Sequence, residues 1–283
     1  MMKAVLVSGF ARSFISGLPI ADATITVLEN NQLKFKTDAS GKFGPFAWAV
    51  GKPITLVFEK PGSFWTGYKT TQTATVIVPP EGINHENYVK NISFQVPSNM
   101  AYKLLSFAIG EAEDPDACQI AATITPPNTT MDDIPQGVEG VTVSLSPNVK
   151  VRTFYFDIFP FIHKTNPFIR TLKSTSLDGG VAFLNVPPGD YIMEARKDNI
   201  LFSKVIIKAR KGMLVNASPP QGPTMLMDAS STQDTAVIQK PKVNKAEIKP
   251  NQFSFFKPAL AFGLTAAAGV LLAATALNKS MAP

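Results

Sequence analysis

The feature that most constrains the fold is one turn-and-strand pattern that occurs twice, 138 residues apart. The first copy reads Thr-Asp-Ala-Ser-Gly-Lys-Phe over 37–43, and the second reads Thr-Ser-Leu-Asp-Gly-Gly-Val over 175–181. In each copy a further glycine, Gly51 or Gly189, stands at the same distance from the corner glycine. A polar corner with a glycine that takes positive φ reverses the chain and starts a strand. The pattern therefore predicts two equivalent hairpins, and with them two copies of one domain.

Short β-prone runs separated by turn residues recur over the first 217 residues. The runs at 23–27 and 141–145 are rich in β-branched residues, and Pro-Pro-Gly at 187–189 is one of the turn signals between such runs. The chain has 23 prolines in 283 residues, which suits many short segments better than long helices. Strands at this spacing are typical of sandwiches and barrels, so the sequence predicts an all-β fold.

At these positions the sequence resembles the carboxypeptidase regulatory-like domain, a transthyretin-like β-sandwich. The second copy carries the latter half of that pattern, in Thr175, Gly179, Val181, Phe183, Val186, Pro187, Pro188, Gly189 and Tyr191. The first copy carries the front half, in Pro19, Ala23, Ile25, Val27, Thr37, Asp38, Gly41 and Phe43. The first copy lacks the Pro-Pro-Gly-x-Tyr element, and Ser176 replaces the corner aspartate in the second. The resemblance implies two tandem transthyretin-like, or Ig-like, β-sandwiches of a kind that is typically non-catalytic.

The composition along the chain predicts five parts. They are a first β-sandwich at 1–97, an interdomain linker at 98–117, a second β-sandwich at 118–217 with an aromatic insertion at about 146–172, a flexible basic linker at 218–257, and a transmembrane helix at 258–277. The basic linker is rich in Pro, Ser, Thr, Gln and Lys, which is typical of a tether.

The predicted membrane span is free of charge from Pro258 to Leu277. About 20 helical residues at 1.5 Å each match the ~30 Å hydrocarbon core of a bilayer. Interfacial residues flank the span, with Phe255, Phe256 and Lys257 before it and Lys279 after it. We expect a single-pass tail anchor. A buried Ala-rich helix of a soluble core is the alternative, which the position after a linker disfavours.

Lysines before the span outnumber those after it, and no secretory signal is visible at the start of the chain. We therefore expect the N-terminal domains to lie in the cytoplasm. Small residues four apart in the span, such as Ala259, Gly263 and Ala267, allow close helix approach and with it a homo-oligomer.

The charge distribution argues against nucleic acid as a partner. The formal net charge is +6, but residues 240–283 hold six lysines and one glutamate, about +5, which leaves about +1 for the rest. The basic character therefore belongs to the region around the span, and the predicted head is nearly neutral.

Few residues suggest catalysis or a cofactor. The chain has one cysteine and two histidines, which excludes an internal disulfide framework and a Cys- or His-rich metal site. Cys118 follows the acidic stretch 111–116, whose charges would raise a thiol pKa. That stretch lacks the spacing of a calcium loop, so a linker is favoured over a Ca²⁺ site. His85 and His163 belong to no catalytic motif, and we expect no enzyme, no metal and no cofactor.

The second copy contains a segment that the repeat does not require, residues 146–172. This segment carries six aromatic side chains. They are Phe154, Tyr155, Phe156, Phe159, Phe161 and Phe168. One interpretation is that they complete the core or pack between the sandwiches. The other is a docking surface for a protein partner, or for an anionic membrane beside Arg152, Lys164, Arg170 and Lys173.

The sequence thus favours a non-enzymatic, membrane-anchored binding or scaffold protein with two β-sandwich modules and protein partners of unknown identity. A membrane-anchored carbohydrate-binding module is the alternative. It requires exposed aromatic side chains in a shallow groove, for which Trp48, Trp65 and Tyr68 are the candidates.

Overall fold

The computed structural model describes residues 3–83, 91–133, 137–159 and 165–226. Within these ranges lie 18 strands and one α-helix, α1 (Asn99–Ile109). The strands are β1 (Ala4–Ser13), β2 (Thr24–Val27), β3 (Asn30–Lys36), β4 (Lys42–Ala49), β5 (Pro53–Ile54), β6 (Leu56–Glu59), β7 (Thr71–Thr73), β8 (Val76–Ile77), β9 (Ile92–Val96), β10 (Cys118–Thr123), β11 (Thr142–Ser146), β12 (Arg152–Tyr155), β13 (Asp157–Ile158), β14 (Thr165–Asn166), β15 (Gly180–Val186), β16 (Gly189–Arg196), β17 (Val205–Ala209) and β18 (Leu214–Ala217).

The first half of the head is a sandwich of two sheets. One sheet has the order β4-β1-β9, and the other contains β7-β6-β2-β3. Half-buried and buried side chains alternate along β2, because successive side chains of a strand point to opposite faces. The core between the sheets is built around Phe58, Phe94 and Ile25, which are fully buried.

The second half repeats the strand pairing of the first. Strand β1 is antiparallel to β4 and parallel to β9, and β10 is likewise antiparallel to β15 and parallel to β18. The order β2-β6-β7 recurs as β11-β16-β17. The described strands are therefore those of an all-β fold made of two modules with one pairing scheme.

The repeated corners have the same hydrogen bonds, which explains the repeat in the sequence. The buried hydroxyl of Thr37 donates to Ile20 O (2.7 Å) and accepts from Ala23 N (2.9 Å). Thr175 donates to Val138 O (2.6 Å) and accepts from Val141 N (2.9 Å). Each threonine thus ties its corner to the segment that leads into the second strand of its module, β2 or β11.

The corner residues after each threonine exchange roles between the copies. In the first corner Asp38 accepts from the backbone and hydroxyl of Ser40 (both 2.8 Å). In the second corner Ser176 accepts from the backbone of Asp178 (3.1 Å). Serine and aspartate both close turns through backbone N–H groups, so the loss of the corner aspartate in the second copy leaves the turn intact.

The two modules share one sheet, because β18 of the second module pairs in parallel with β7 of the first. The pairing aligns Leu214 with Thr71 and Asn216 with Thr73. The resulting eight-stranded sheet has the order β12-β15-β10-β18-β7-β6-β2-β3. Both modules belong to one compact unit, Met1–Met227.

A polar network reinforces this junction on one side. Glu29 accepts from Lys208 Nζ (2.7 Å) and from the backbone and hydroxyl of Thr55 (both 2.8 Å). Gln72 Nε2 donates to Lys208 O (2.8 Å), and Thr75 N donates to Ile206 O (2.9 Å). These bonds join the first module to β17 of the second.

The end of β18 and the chain after it cover the other open edge of the first module. Asn216 Nδ2 donates to Gln95 O (2.9 Å), Ser93 Oγ donates to Pro219 O (2.6 Å), and Gln221 Nε2 donates to Asn91 O (2.6 Å). Strand β9 is consequently covered by the second module instead of being open to solvent.

The segment 98–117, predicted as a linker, contains a helix that the sequence analysis did not predict. Helix α1 begins at Ser98, whose hydroxyl accepts from Ala101 N (3.2 Å), and ends at Gly110 with φ +73°. Ile109 packs against Phe154 and Ala182 of the second module. The helix therefore bridges the two modules.

No helix among the residues that the structure describes is long and apolar enough to cross a membrane. The predicted span at 258–277 lies outside those residues, and so does the predicted linker beyond residue 226. The anchor stays a prediction.

The junction generates a testable prediction about the Glu29–Lys208 ion pair. Its side chains are only 16% and 25% exposed, so water screens the attraction less than at the surface. In a double-mutant cycle with Glu29→Ala and Lys208→Ala, we expect a coupling of about 1 kcal/mol in the free energy of unfolding, measured by urea denaturation.

The matched control is the ion pair of Asp116 with Lys211, whose side chains are 70% and 68% exposed. The same cycle on that pair should give a coupling near zero, because exposed pairs contribute little. Equal couplings for the two pairs would contradict a stabilising role of the Glu29–Lys208 pair at the junction.

Candidate functional site

The predicted aromatic insertion lies at the outer edge of the eight-stranded sheet. Strand β12 is the edge strand of the sheet and pairs with β15. Strands β13 and β14 then pair with each other in a short hairpin. Phe161 lies between them, outside the described residues.

Two of the predicted docking residues are in the interior. Phe154 is 3% exposed and packs with Ile109 of α1, and Tyr155 is 7% exposed in the core of the second module. Val143 N donates to the Tyr155 hydroxyl (2.9 Å), and burial raises the pKa of Tyr155. Alternate residues of a strand point to opposite faces, and both faces of β12 are covered here. These two side chains offer no surface to a partner in this structure.

The other described aromatic residues of the insertion are half-buried. The ring centroids of Phe159 and Phe168 are 6.3 Å apart. Phe156 packs edge-on against Phe154, with ring centroids 5.1 Å apart. Ile169 follows Phe168 in the chain and is exposed. Arg170 Nε donates to Ala108 O of α1 (2.9 Å), and the residue before Ala108, Phe107, is exposed. We call Phe107, Phe159, Phe168 and Ile169 the aromatic surface.

Arg152 and Arg170, two of the basic residues predicted to lie near an anionic membrane, instead bind the end of helix α1. Arg152 donates to Ile109 O (3.0 Å) and pairs with Glu111 (2.9 Å). Arg170 Nε donates to Ala108 O (2.9 Å). Cations at a helix C-terminus satisfy its free carbonyl groups and oppose its dipole. Their visible role is to hold α1 against the insertion.

Asp178 lies beneath the insertion and has an unusual titration. It accepts from the Thr165 hydroxyl (2.8 Å) and from the backbone of Gly180. Burial of the carboxyl group raises its pKa to about 6, and the nearby charge of Asp157 adds to the increase. The carboxyl group therefore connects the corner of the second module to strand β14.

The structure gives a different reason for the inertness of Cys118 than the sequence did. Its thiol is fully buried at the start of β10, and burial raises the pKa to about 11. Neutral thiols are poor nucleophiles. Among the residues that the structure describes, no cluster of three or more His, Cys, Asp or Glu side chains could hold a metal ion. His85 and His163 lie outside these residues.

The three aromatic residues considered for carbohydrate binding do not form one platform. Trp48 and Tyr68 pack against the core of the first module, and Trp48 Nε1 donates to Pro53 O (3.2 Å). Only Trp65 of the three is exposed, at 73%, beside Phe64.

A cleft of about 390 Å³ lies between the modules and was not foreseen from the sequence. Its walls include Ile77 and Glu81 from the first module and Lys204, Ile206 and Gln221 from the second. The walls of the cleft meet where Thr75 pairs with Ile206 across the junction, and the sequence carries no signal for that pairing.

A second apolar surface was also missed. Ile15 and Leu18 lie in the loop after β1, Phe64 and Trp65 lie in the loop after β6, and all four side chains are exposed. Single exposed apolar residues attract little notice in a sequence, because many surface residues are apolar. Their position at one end of the first module becomes clear only from the strand pairing.

The predicted membrane-flanking residues Phe255, Phe256, Lys257 and Lys279 lie outside the described residues.

No protein-family model matches this sequence, and no curated protein matches it. Among solved structures, the chain is similar to the TIE protein of Bacillus anthracis, with 14% identity, 76% of this chain and 33% of that chain covered, and a TM-score of 0.24. This chain thus spans about a third of that protein.

Two further similarities are to pilins. The minor pilin GBS52 of Streptococcus agalactiae shows 10% identity over 78% of this chain and 97% of that chain, with a TM-score of 0.24. The major pilin subunit BcpA of Bacillus cereus shows 9% identity over 77% and 99%, also with a TM-score of 0.24. Likeness at these TM-scores carries no argument about fold or function, so the fold rests on the strand pairing itself.

The titration of Asp178 predicts a pH-dependent stability. Below its unfolded pKa of 3.8 the carboxyl group is protonated in both the folded and the unfolded state, so it does not lower the free energy of unfolding. As the pH rises towards about 6, the unfolded chain releases the proton first, so the free energy of unfolding falls by about 1–2 kcal/mol. Asp178→Asn should lack this fall in urea denaturation between about pH 4 and pH 7.

Asp38→Asn is the control with the opposite sign. Hydrogen bonds from Ser40 and Lys42 lower the pKa of Asp38, so its contribution is present at neutral pH and lost on acidification. An Asp178→Asn protein with the pH profile of the natural chain would show that the carboxyl group titrates normally.

Proposed function

We propose that this chain is a non-enzymatic, membrane-anchored scaffold that presents two transthyretin-like β-sandwich modules to protein partners. The observation that carries the proposal is the shared sheet, in which β7 and β18 join the modules. Two modules joined only by a tether would present their surfaces independently. Modules joined by a sheet, a polar network and a bridging helix present them in one fixed arrangement, as a scaffold requires.

The aromatic surface is the part of this head that we assign to a protein partner. Phe159 and Phe168 are half-buried, and Phe107 is 71% exposed. Aromatic side chains with an exposed face are enriched in protein interfaces, where they desolvate at little entropic cost. Their support is firm, since Arg152 and Arg170 hold α1 against the insertion. A preorganised surface loses less entropy on binding.

We further propose that residues 258–277 anchor the head in a membrane, with the modules in the cytoplasm. The support is in the sequence, where the span is free of charge and most of the nearby lysines precede it. The assignment to carboxypeptidase regulatory-like domains is supported by the equivalent corners at Thr37 and Thr175. The carbohydrate alternative loses support, because Trp48 and Tyr68 pack against the core.

The anchor is tested by removing residues 258–283 and measuring membrane association by fractionation. We expect the shortened chain to move to the soluble fraction, because the charge-free stretch is gone. A chain that lacks only residues 280–283 keeps the span and Lys279 and is the matched control. Unchanged membrane association of the longer truncation would contradict the anchor.

The docking role is tested by crosslinking in intact membranes, comparing the natural chain with a Phe159→Ser, Phe168→Ser variant. We expect crosslinked products to be lost, because removing apolar anchors at an interface typically weakens binding by 10-fold or more. Leu201→Ser is the matched control, since Leu201 is an exposed apolar residue distant from the insertion in the chain. Thermal unfolding checks that the variants are folded.

Crosslinked products that persist in the double variant would contradict the assignment of the aromatic surface. Glycan binding that depends on Trp65, together with unchanged crosslinking, would favour the carbohydrate alternative.

A further inference from the structure

One end of the first module carries four exposed apolar side chains in two neighbouring loops. Leu18 is 65% exposed and Ile15 is 54% exposed in the loop after β1, and Trp65 (73%) and Phe64 (45%) lie in the loop after β6. We call these four residues the apolar end surface.

Hydrogen bonds to one short segment place the two loops side by side. Phe14 N donates to Val96 O (2.9 Å), which fixes the first loop beside the end of β9. Asn99 N donates to Gly67 O (2.9 Å), and Asn99 Nδ2 donates to Ser63 O (3.1 Å), which fixes the second loop beside the start of α1. Both loops are therefore attached to residues 96–99.

The second loop holds Phe64 and Trp65 in a defined position. The Thr66 hydroxyl accepts from Ser63 N (3.1 Å) and lies 3.0 Å from the Ser63 hydroxyl. Gly62 and Gly67 touch so closely that a side chain on either would collide with the backbone of the other. The tight base of the loop makes the two aromatic rings project, and they contact each other edge-on at 4.9 Å.

The charges around this end are unusual for a soluble surface. Segments 14–19, 61–68 and 98–109 contain no acidic residue and one basic residue, Lys103. Lys103 is exposed on α1, four residues before the exposed Phe107. The carboxylates of Asp132 and Glu113 beside these segments are paired with Arg12 and Lys69. A projecting apolar surface that itself carries no carboxylate and has a nearby cation is complementary to an anionic lipid interface, where Trp and Phe partition well.

The length of the chain between the head and the proposed anchor places a bilayer within reach of the apolar end surface. The 31 residues from 227 to 257 separate the head from the proposed anchor and span up to about 100 Å when extended. The described chain leaves the head beside Leu201, beyond the end of β10. A strand of eight to ten residues is about 30 Å long, so this length allows the opposite end to reach the same bilayer.

We propose that the apolar end surface inserts into the interface of the bilayer that holds the anchor, so that the head lies against the membrane. This rests on the proposed function for the anchor. Two contacts, one spanning and one peripheral, would fix the orientation of the aromatic surface relative to the membrane. The projecting shape fits a fluid interface, which needs no preformed pocket.

The chain contains two tryptophans, which allows a direct test. The full chain with Trp48→Phe keeps Trp65 as its one tryptophan and is added to vesicles of phosphatidylcholine and phosphatidylserine. We expect the Trp65 emission to shift to shorter wavelength and to be quenched by brominated phosphatidylcholine. The matched control is Trp65→Phe, which keeps the half-buried Trp48; its emission should show neither effect.

The outcomes separate this proposal from the anchor. If the chain sediments with vesicles but Trp65 is neither shifted nor quenched, the apolar end surface does not insert and the anchor is unaffected. If Trp65 is shifted and quenched at high lipid concentration but removal of residues 258–283 changes nothing, the end surface inserts and the anchor is wrong. If the chain neither sediments nor changes its emission, both proposals fail.

A shift of the Trp65 emission that grows with protein concentration in the absence of lipid would also overturn the proposal. It would assign the apolar end surface to contact between copies of the chain.

Discussion

The parallel pairing of β7 with β18 is the contact on which the rest of the head depends. A sandwich of this kind has open sheet edges, whose free N–H and C=O groups are a liability for aggregation. Here the edge strand of one module forms backbone hydrogen bonds with the edge strand of the other, and the two modules form one eight-stranded sheet. The ladder is backbone-to-backbone, and the buried side chain of Gln72 adds a hydrogen bond to Lys208 O (2.8 Å).

The pairing is asymmetric although the modules are copies. Strand β7 corresponds to β17 in the repeat and β9 corresponds to β18, yet only β7 and β18 form the shared ladder. The remaining two strands are covered by other means. Residues 216–221 donate to β9, and Gln72 and Thr75 donate to β17. Repeating a module therefore produced a single head only because each copy offers a different edge to its partner.

The sequence predicted the modules better than their junction. The corners at Thr37 and Thr175 could be predicted because a local polar corner with a glycine leaves a local signal. Helix α1 also had local signals, in the cap at Ser98 and the C-terminal Gly110, but an acidic stretch after it favoured a linker. The junction left no such signal. Its backbone pairing and its Glu29–Lys208 contact join residues far apart in the chain, and a single sequence does not show which distant edges meet.

The aromatic insertion shows the same limit for the candidate site. Its composition left open whether the six aromatic residues complete the core or form a docking surface, and the structure buries Phe154 and Tyr155 and leaves Phe159 and Phe168 half-buried. The burial of Phe154 was decided by α1, which covers one face of β12 through Ile109, and α1 was itself unpredicted. A surface can be assigned from sequence only when every element that covers it is also assigned.

The junction also limits the chemistry that remains for recognition. Glu29, Lys208, Arg152, Arg170 and Glu111 are all engaged within the head. These charges hold modules, helix and insertion together, and exposed apolar side chains occupy both the aromatic surface and the apolar end surface. Because these charges are paired within the head, they position its elements instead of binding a partner. Both surfaces must therefore act mainly through burial of apolar area. Most of the binding at either surface should therefore persist at high salt, in contrast to binding by a basic patch, and only the attraction of Lys103 to anionic lipid should weaken.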